Sequence, residues 1–167
     1  MQLGCGWLNR VLVTVSQPVV NLREVTKDNW LEALKLEMYP DQYAFVPSVA
    51  VCLAKAYIKP ENGLVIPFGV YSGEVMVGFF TITHDANRVD RFWINGFQID
   101  KNYQRKGYGK AALAGIIILL QKLYPACRTV GLTLAHHNEV ARKLYESHGF
   151  VNTGTVYEGE TVYLLQL

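Results

Sequence analysis

Residues 100–110 read Asp100-Lys-Asn-Tyr-Gln-Arg-Lys-Gly-Tyr-Gly-Lys110, and they join two unlike runs of chain. Upstream, residues 92–99 are apolar and aromatic-rich; downstream, residues 110–123 have a strongly helical composition. The join holds Gly107 and Gly109 with four cations, Lys101, Arg105, Lys106 and Lys110, and only Asp100 beside them. The first N–H groups of a helix lack partners inside it, and the helix dipole adds positive potential at the same end. A strand, a basic glycine loop and a helix in that order therefore predict a site for a phosphate-bearing ligand, with main-chain N–H groups facing the anion.

Working outward, residues 19–25 read as a first strand. Asp28 suits a helix N-cap, and Trp30, Leu31, Leu34 and Met38 recur at helical spacing behind it. Pro40 and Pro47 bracket a break, residues 49–58 read as a second helix, and 60–63 as a turn. Residues 68–71 and 74–83, separated by Ser72-Gly73, carry a hairpin signal, and 89–99 form a third β-rich run. Past the basic loop and its helix come a strand over 129–134 and an amphipathic helix over 138–148. That helix has Val140, Ala141, Leu144 and Tyr145 on one face and Gly149 closing it. Residues 150–156 and 161–167 close the chain as a hairpin around Glu158-Gly159. The order β-α-α-β-β-β-α-β-α-β-β predicts an α/β fold, a single domain with a mixed, mostly antiparallel sheet flanked by helices.

Size and composition agree. A chain of 167 residues, half apolar and 18% charged, forms one domain with a substantial core. Its net charge of +2 gives no ground for a nucleic-acid or membrane partner, and the longest apolar run, 111–120, is too short to span a bilayer. Cys5, Cys52 and Cys127 lack CxxC spacing, and His136-His137 form no HExxH motif. Reduced thiols in the cytoplasm and no metal site are expected. Residues 1–17 lack the layout of a signal segment and are read as an N-terminal extension to a domain over 18–167.

Three phosphate ligands compete for the loop. A nucleoside triphosphate needs GxxxxGK[ST], which the chain lacks. Gly107-Tyr-Gly109-Lys-Ala-Ala112 superficially fits the dinucleotide fingerprint, but several residues separate its first glycine from the strand. No acid appears near 129–134 for a ribose. The third reading is coenzyme A. Gln104-Arg-Lys-Gly-Tyr-Gly109 resembles the [QR]xxGx[GA] pyrophosphate loop of the GCN5-related N-acetyltransferase (GNAT) superfamily. The segment Asn138-Glu-Val-Ala-Arg-Lys-Leu-Tyr145-Glu-Ser-His-Gly-Phe150 resembles a second motif of that family. The likeness runs over 19–167. Within the superfamily, residues 71–78, 97–110 and 159–163 are similar to bacterial diamine and spermine/spermidine acetyltransferases.

The resemblance implies acetyl-coenzyme A as cosubstrate and a small-molecule primary amine, a polyamine or diamine, as acceptor. Transfer would be direct, in a ternary complex. Gln104, Arg105, Lys106, Gly107, Tyr108, Gly109 and Lys110 would hold the pyrophosphate. The backbone of Phe97, Gln98 and Ile99 would pair with the amide arm and polarise the thioester carbonyl. Asn138 reads as a helix N-cap that also contacts the arm. Tyr145, seven residues on and on the same face, would protonate the departing thiolate. Polyamine-acetylating relatives carry a carboxylate where this chain has Asn95, and an amide cannot act as a base. Asp90 or another carboxylate acting through water, an amine arriving neutral, or a different acceptor would each account for it. The acceptor pocket is expected between the first two helices, where Glu32, Glu37 and Asp41 lie. Alternatives are another amine (aminoglycoside, amino acid or protein N-terminus) and a non-catalytic acyl-coenzyme A sensor. The family often dimerises, and residues 150–167 offer a sheet edge for a homodimer.

Overall fold

The computed structural model describes residues 17–59, 63–84 and 87–167. The expected extension up to residue 16, Cys5 with it, and residues 60–62 of the expected turn lie outside the described residues. A seven-stranded sheet forms the middle layer, in the order β1-β2-β3-β4-β5-β7-β6. Its strands are β1 (Asn21–Glu24), β2 (Leu64–Ser72), β3 (Val75–His84), β4 (Arg91–Ile99), β5 (Thr129–Leu134), β6 (Val151–Tyr157) and β7 (Glu160–Gln166). Every neighbouring pair is antiparallel except β4 with β5, so the predicted mixed, mostly antiparallel α/β domain is what folds.

Helices cover both faces. On one, α3 (Tyr108–Leu123) turns Ala112, Leu113, Ile116 and Leu120 onto the sheet, a helical spacing that buries all four against Val70, Val77, Phe80 and Phe92. At about 1.5–3 kcal/mol for each large apolar side chain removed from water, this face dominates the core. The short helix α4 (Glu139–Glu146) adds Tyr145 to the same cluster. On the other face α2 (Val49–Ile58) and α1 (Trp30–Ala33) set Val49, Cys52 and Ala33 against Tyr71, Met76 and Phe79.

The first helix departs from the sequence reading. The apolar spacing runs to Met38, yet α1 is a single turn and Asn29, not Asp28, precedes it. Asn29 is held outside helical geometry, its Oδ1 accepting from Thr26 N and its Nδ2 donating to Glu24 O. Farther on, Glu37 N donates to Asp100 Oδ2 and Glu37 O accepts from Lys101 N, so the loop after β4 captures backbone that a longer helix would use. A 3-10 helix, Pro40–Ala44, follows. Trp30, Leu31 and Leu34 consequently stay exposed. Smaller differences fall at strand ends: Val89 lies in a turn before β4, and β2 begins at Leu64.

Candidate active site

Strands β4 and β5 run side by side only from Arg91–Trp93, opposite Thr129–Gly131. Beyond that point they separate. A bulge in β4 contributes to this: between Asn95 and Gln98 the strand carries one residue more than β3 opposite it, and Gly96 takes φ +60° there. Only glycine fits, because a Cβ at 96 would stand 2.7 Å from the Cys52 Sγ of α2. Gln98 is buried and braces the bulge, its Nε2 donating to Gly96 O (3.2 Å) and Pro47 O (3.4 Å). The separation opens a cleft of about 1760 Å³, lined by Phe97, Gln98 and Ile99 on one side and by Thr133, Leu134 and β7 on the other.

The basic loop closes one end of this cleft. Asp100 is buried and anchors it, Oδ1 accepting from Asn102 N and Oδ2 from Glu37 N. Gln104 ties it to β4: its Nε2 donates to Ile99 O (2.8 Å), and its amide exchanges hydrogen bonds with that of Gln42. Arg105 (φ +59°) and Gly107 (φ +86°) then turn the chain into α3. Among the described residues, no main-chain N–H from Arg105 to Lys110 finds an acceptor; the first one satisfied is Ala111 N, at Gly107 O. These are the orphan donors of a helix start, unusually many and consecutive. They are suited to anionic oxygens, and α3 adds its dipole.

Side chains of the loop divide by role. Gln104, Arg105 and Gly109 line the cleft. Lys106, Gly107, Tyr108 and Lys110 do not: the Lys106 ammonium donates to Asn102 O, and the Tyr108 hydroxyl is paired with Ser72 Oγ at 3.2 Å. Lys101 forms an ion pair with Glu37. The two glycines also differ. A Cβ on Gly107 would meet Pro18 Cδ at 3.0 Å in a left-handed backbone, whereas on Gly109 it would meet nothing closer than Leu144 Cδ2 at 3.6 Å. Protein packing does not require glycine at 109; close approach of a ligand would.

Across the cleft, Asn138 caps α4, Oδ1 accepting from Ala141 N at 3.2 Å, and lines the wall. Tyr145 also lines it, its ring lodged near Phe97 and Phe150 with centroids 6.5 and 5.8 Å away. Burial, reinforced by the Glu160 carboxylate, pushes the Tyr145 phenol well above the usual tyrosine range, so it stays a neutral O–H donor at physiological pH. Asn138 and Tyr145 thus share one wall, as their spacing predicts. Val140 does not join the packed face; it is exposed along the cleft rim.

The expected acids are redistributed. Of Glu32, Glu37 and Asp41 only Asp41 lines the cleft; Glu32 accepts from the Tyr71 hydroxyl and Glu37 is engaged by Lys101. The capture of the Glu37 backbone by Asp100 and Lys101 accounts for this, since no second turn of α1 carries Glu37 inward. Asp90 lies away from the cleft, and the Arg88 guanidinium hydrogen-bonded to it holds its carboxyl below the usual range, which makes it a poor base. Asn95 does line the cleft, with Nδ2 donating to Thr83 Oγ1. Sequence reasoning missed Trp93, Glu158 and Glu160 on the same walls. The alternation of β7 was the available signal, because Glu160 and Val162 fall on one face of that strand.

Among the described residues no group of three His, Cys, Asp or Glu is placed to hold a metal ion, and no helix is long and apolar enough to cross a membrane.

Comparison with known proteins bears on the whole chain. Residues 20–150 match the model of the Acetyltransferase (GNAT) family. The chain is similar to the spermine/spermidine N(1)-acetyltransferase of Bacillus subtilis (strain 168), 35% identical over 153 residues, covering 89% of this chain and 99% of that one. In fold it is similar to an acetyltransferase from Thermus thermophilus, with TM-score 0.69, 18% identity and 91% and 100% of the two chains covered. It is also similar to the spermidine N-acetyltransferase from Vibrio cholerae in complex with CoA and spermine, with TM-score 0.67, 16% identity and coverage of 88% and 95%. With a split between β4 and β5, unpaired N–H groups at the start of α3, and a family match across most of its length, the chain belongs to the GNAT acetyltransferases.

Proposed function

We propose that this acetyltransferase moves the acetyl group of acetyl-coenzyme A onto a primary amine of a polyamine or diamine, by direct attack within a ternary complex. The observation that carries the reading is the run of unpaired N–H groups from Arg105 to Lys110 beside the cleft. A pyrophosphate is the ligand such a run fits. Arg105 would add charge at the mouth, and Lys106 and Lys110 would act through the field rather than by contact, as neither lines the cleft. The arm of the cosubstrate would lie along Phe97, Gln98 and Ile99, where β4 has lost its β5 partner and offers main-chain groups. Ile99 O is already taken by Gln104, which leaves N–H groups of this stretch to polarise the thioester carbonyl.

Tyr145 would give its proton to the sulfur as the C–S bond breaks. A phenol that burial keeps neutral suits that role. The polyamine acceptor draws on the Bacillus subtilis relative and on the acids in the cleft, Asp41, Glu158 and Glu160. Cytoplasmic action fits two buried free thiols, Cys52 and Cys127. The edge strand β6, exposed at every residue, is where we place a homodimer contact.

A second reading keeps the chemistry and changes the amine. It is favoured by Asn95, an amide where polyamine-acetylating relatives carry an acid. Release of coenzyme A thiol, measured with spermidine, spermine, a diamine, an aminoglycoside, free amino acids and a peptide N-terminus, separates the two. Turnover with the polyamines is expected. Turnover confined to another amine would replace the acceptor, and tight acetyl-coenzyme A binding with no turnover on any would make the chain a sensor.

A further inference from the structure

Gln42 lies 62 residues before Gln104 in the chain, yet their side chains form a closed amide pair. Gln42 Nε2 donates to Gln104 Oε1 at 2.9 Å, and Gln104 Nε2 donates back to Gln42 Oε1 at 2.8 Å. Each amide has one further contact, and these outer contacts fix which way both point. Gln104 gives its second N–H to Ile99 O at 2.8 Å, and Gln42 Oε1 also accepts from Tyr39 N at 3.2 Å. The Tyr39 contact caps the 3-10 helix Pro40–Ala44, so Gln42 is itself held by local backbone. Two other links join the same stretches of chain, Glu37 N to Asp100 Oδ2 and Lys101 N to Glu37 O. Glu37, Asp100 and Lys101 do not line the cleft, whereas Gln42 and Gln104 both do.

We propose that Gln42 is a positioning residue for the coenzyme loop, acting through the Gln104 amide. This rests on the acetyl-coenzyme A reading above and adds a residue outside the loop on which that site depends. Among the described residues, the run of unpaired N–H groups starts at Arg105, directly after Gln104. Arg105 also takes the positive φ with which the chain begins its turn into α3, so Gln104 is the fixed point from which the run is aimed. Its bond to Ile99 O folds residues 99–104 back on themselves, and Gln42 removes the freedom that the amide would otherwise keep. With Gln42 gone, one N–H and the oxygen of Gln104 lose their partners. The amide is then free to rotate and to set its oxygen toward an anion. The coenzyme would have to order the loop as it binds, which lowers affinity. The basic motif does not carry this dependence, because Gln42 belongs to a helix that also carries Asp41, an acid proposed for the acceptor.

The test is a double-mutant cycle on acetyl-coenzyme A affinity, by calorimetric titration of wild type, Gln42→Ala, Gln104→Ala and the double variant. Loss of the amide pair predicts that Kd for acetyl-coenzyme A rises by about 3- to 10-fold in Gln42→Ala. In the Gln104→Ala background the same change should cost less than about twofold, since the residue through which it acts is absent. A merely structural role would weaken binding equally in both backgrounds. Steady-state kinetics gives a second readout: KM for acetyl-coenzyme A should rise in Gln42→Ala while kcat at saturation stays within about twofold. Gln42→Met, which keeps the length of the side chain without its hydrogen bonds, should behave alike and takes its place should the alanine variant fail to fold. An unchanged Kd, a fall in kcat with KM unmoved, or an equal loss in both backgrounds would overturn the inference. A wild-type chain that binds no acetyl-coenzyme A would overturn the donor reading along with it. Normal wild-type binding that Gln42→Ala leaves unaffected would remove the role of Gln42 and nothing more.

Discussion

Gly107 and Gly109 look alike in sequence, yet the structure gives them different work, and replacing each by alanine separates the two roles. At 109 the new methyl meets Leu144 Cδ2 at 3.6 Å and Ile99 Cγ1 at 3.8 Å, ordinary contact distances. Alanine is also a better helix former than glycine, by about 0.5–1 kcal/mol in a helix interior and less in a first turn. Thermal stability of Gly109→Ala should therefore be unchanged or slightly raised. The same methyl projects into the cleft where anionic oxygens would approach the N–H run. Displacing one or two charge-assisted hydrogen bonds, each worth about 1.5–3 kcal/mol, would weaken acetyl-coenzyme A binding by about 10- to 100-fold or more. Gly107→Ala does the reverse. Its φ of +86° strains an L-residue by about 1–2 kcal/mol, and the methyl presses on Pro18 Cδ at 3.0 Å. For a domain of this size that lowers Tm by about 2–8 °C. Calorimetric titration with acetyl-coenzyme A and differential scanning calorimetry on both variants read the two effects independently. A Gly109→Ala protein that melts early yet binds normally would refute the reasoning, because it would make 109 a packing position and remove the N–H run as the anion site.

Two further outcomes are expected. Tyr145→Phe keeps the ring packed on Phe97 and Phe150, so Tm and acetyl-coenzyme A affinity should hold while kcat falls by about 100-fold or more; equal turnover would remove Tyr145 from the chemistry. Burial pushes the Cys52 thiol up to about 11. A raised folded-state pKa means that this contribution to stability is whole below the ordinary thiol value and is lost as pH rises through about 9 to 11, a loss of about 2–3 kcal/mol. Urea unfolding at pH 8 and pH 11 should show this drop in the wild-type chain and a smaller one in Cys52→Ala. An equal drop in both would place the alkaline sensitivity elsewhere.

The local parts of the proposed donor site were legible in the sequence, because each is built from near neighbours. A glycine that must take a positive φ, a helix that begins beside it, and a cap with a tyrosine seven residues later are all encoded within a few turns of chain, as at Gly107, Tyr108, Asn138 and Tyr145. The acceptor side was not legible. Trp30, Leu31, Leu34 and Met38 have helical spacing, but the Glu37 backbone that would continue α1 donates instead to the Asp100 carboxylate and accepts from Lys101 N, 63 and 64 residues on in the chain, and no local pattern records such a bond. With that helix cut short, Glu32 and Glu37 fall outside the cleft and only Asp41 remains.

What the sequence determined by itself is the order of elements and the glycine-bearing basic loop that opens α3, since periodicity, turn chemistry and helix-start composition act between near neighbours. Only the tertiary structure decided which side chains face one another across the cleft. Gly96 is required because Cys52 of α2 packs on it. Glu160 gains its place because β5 leaves β4 after Gly131 while staying paired with β7 along its whole length. Strand pairing and separation join residues far apart in the chain, and no local pattern in the sequence records which of them will meet.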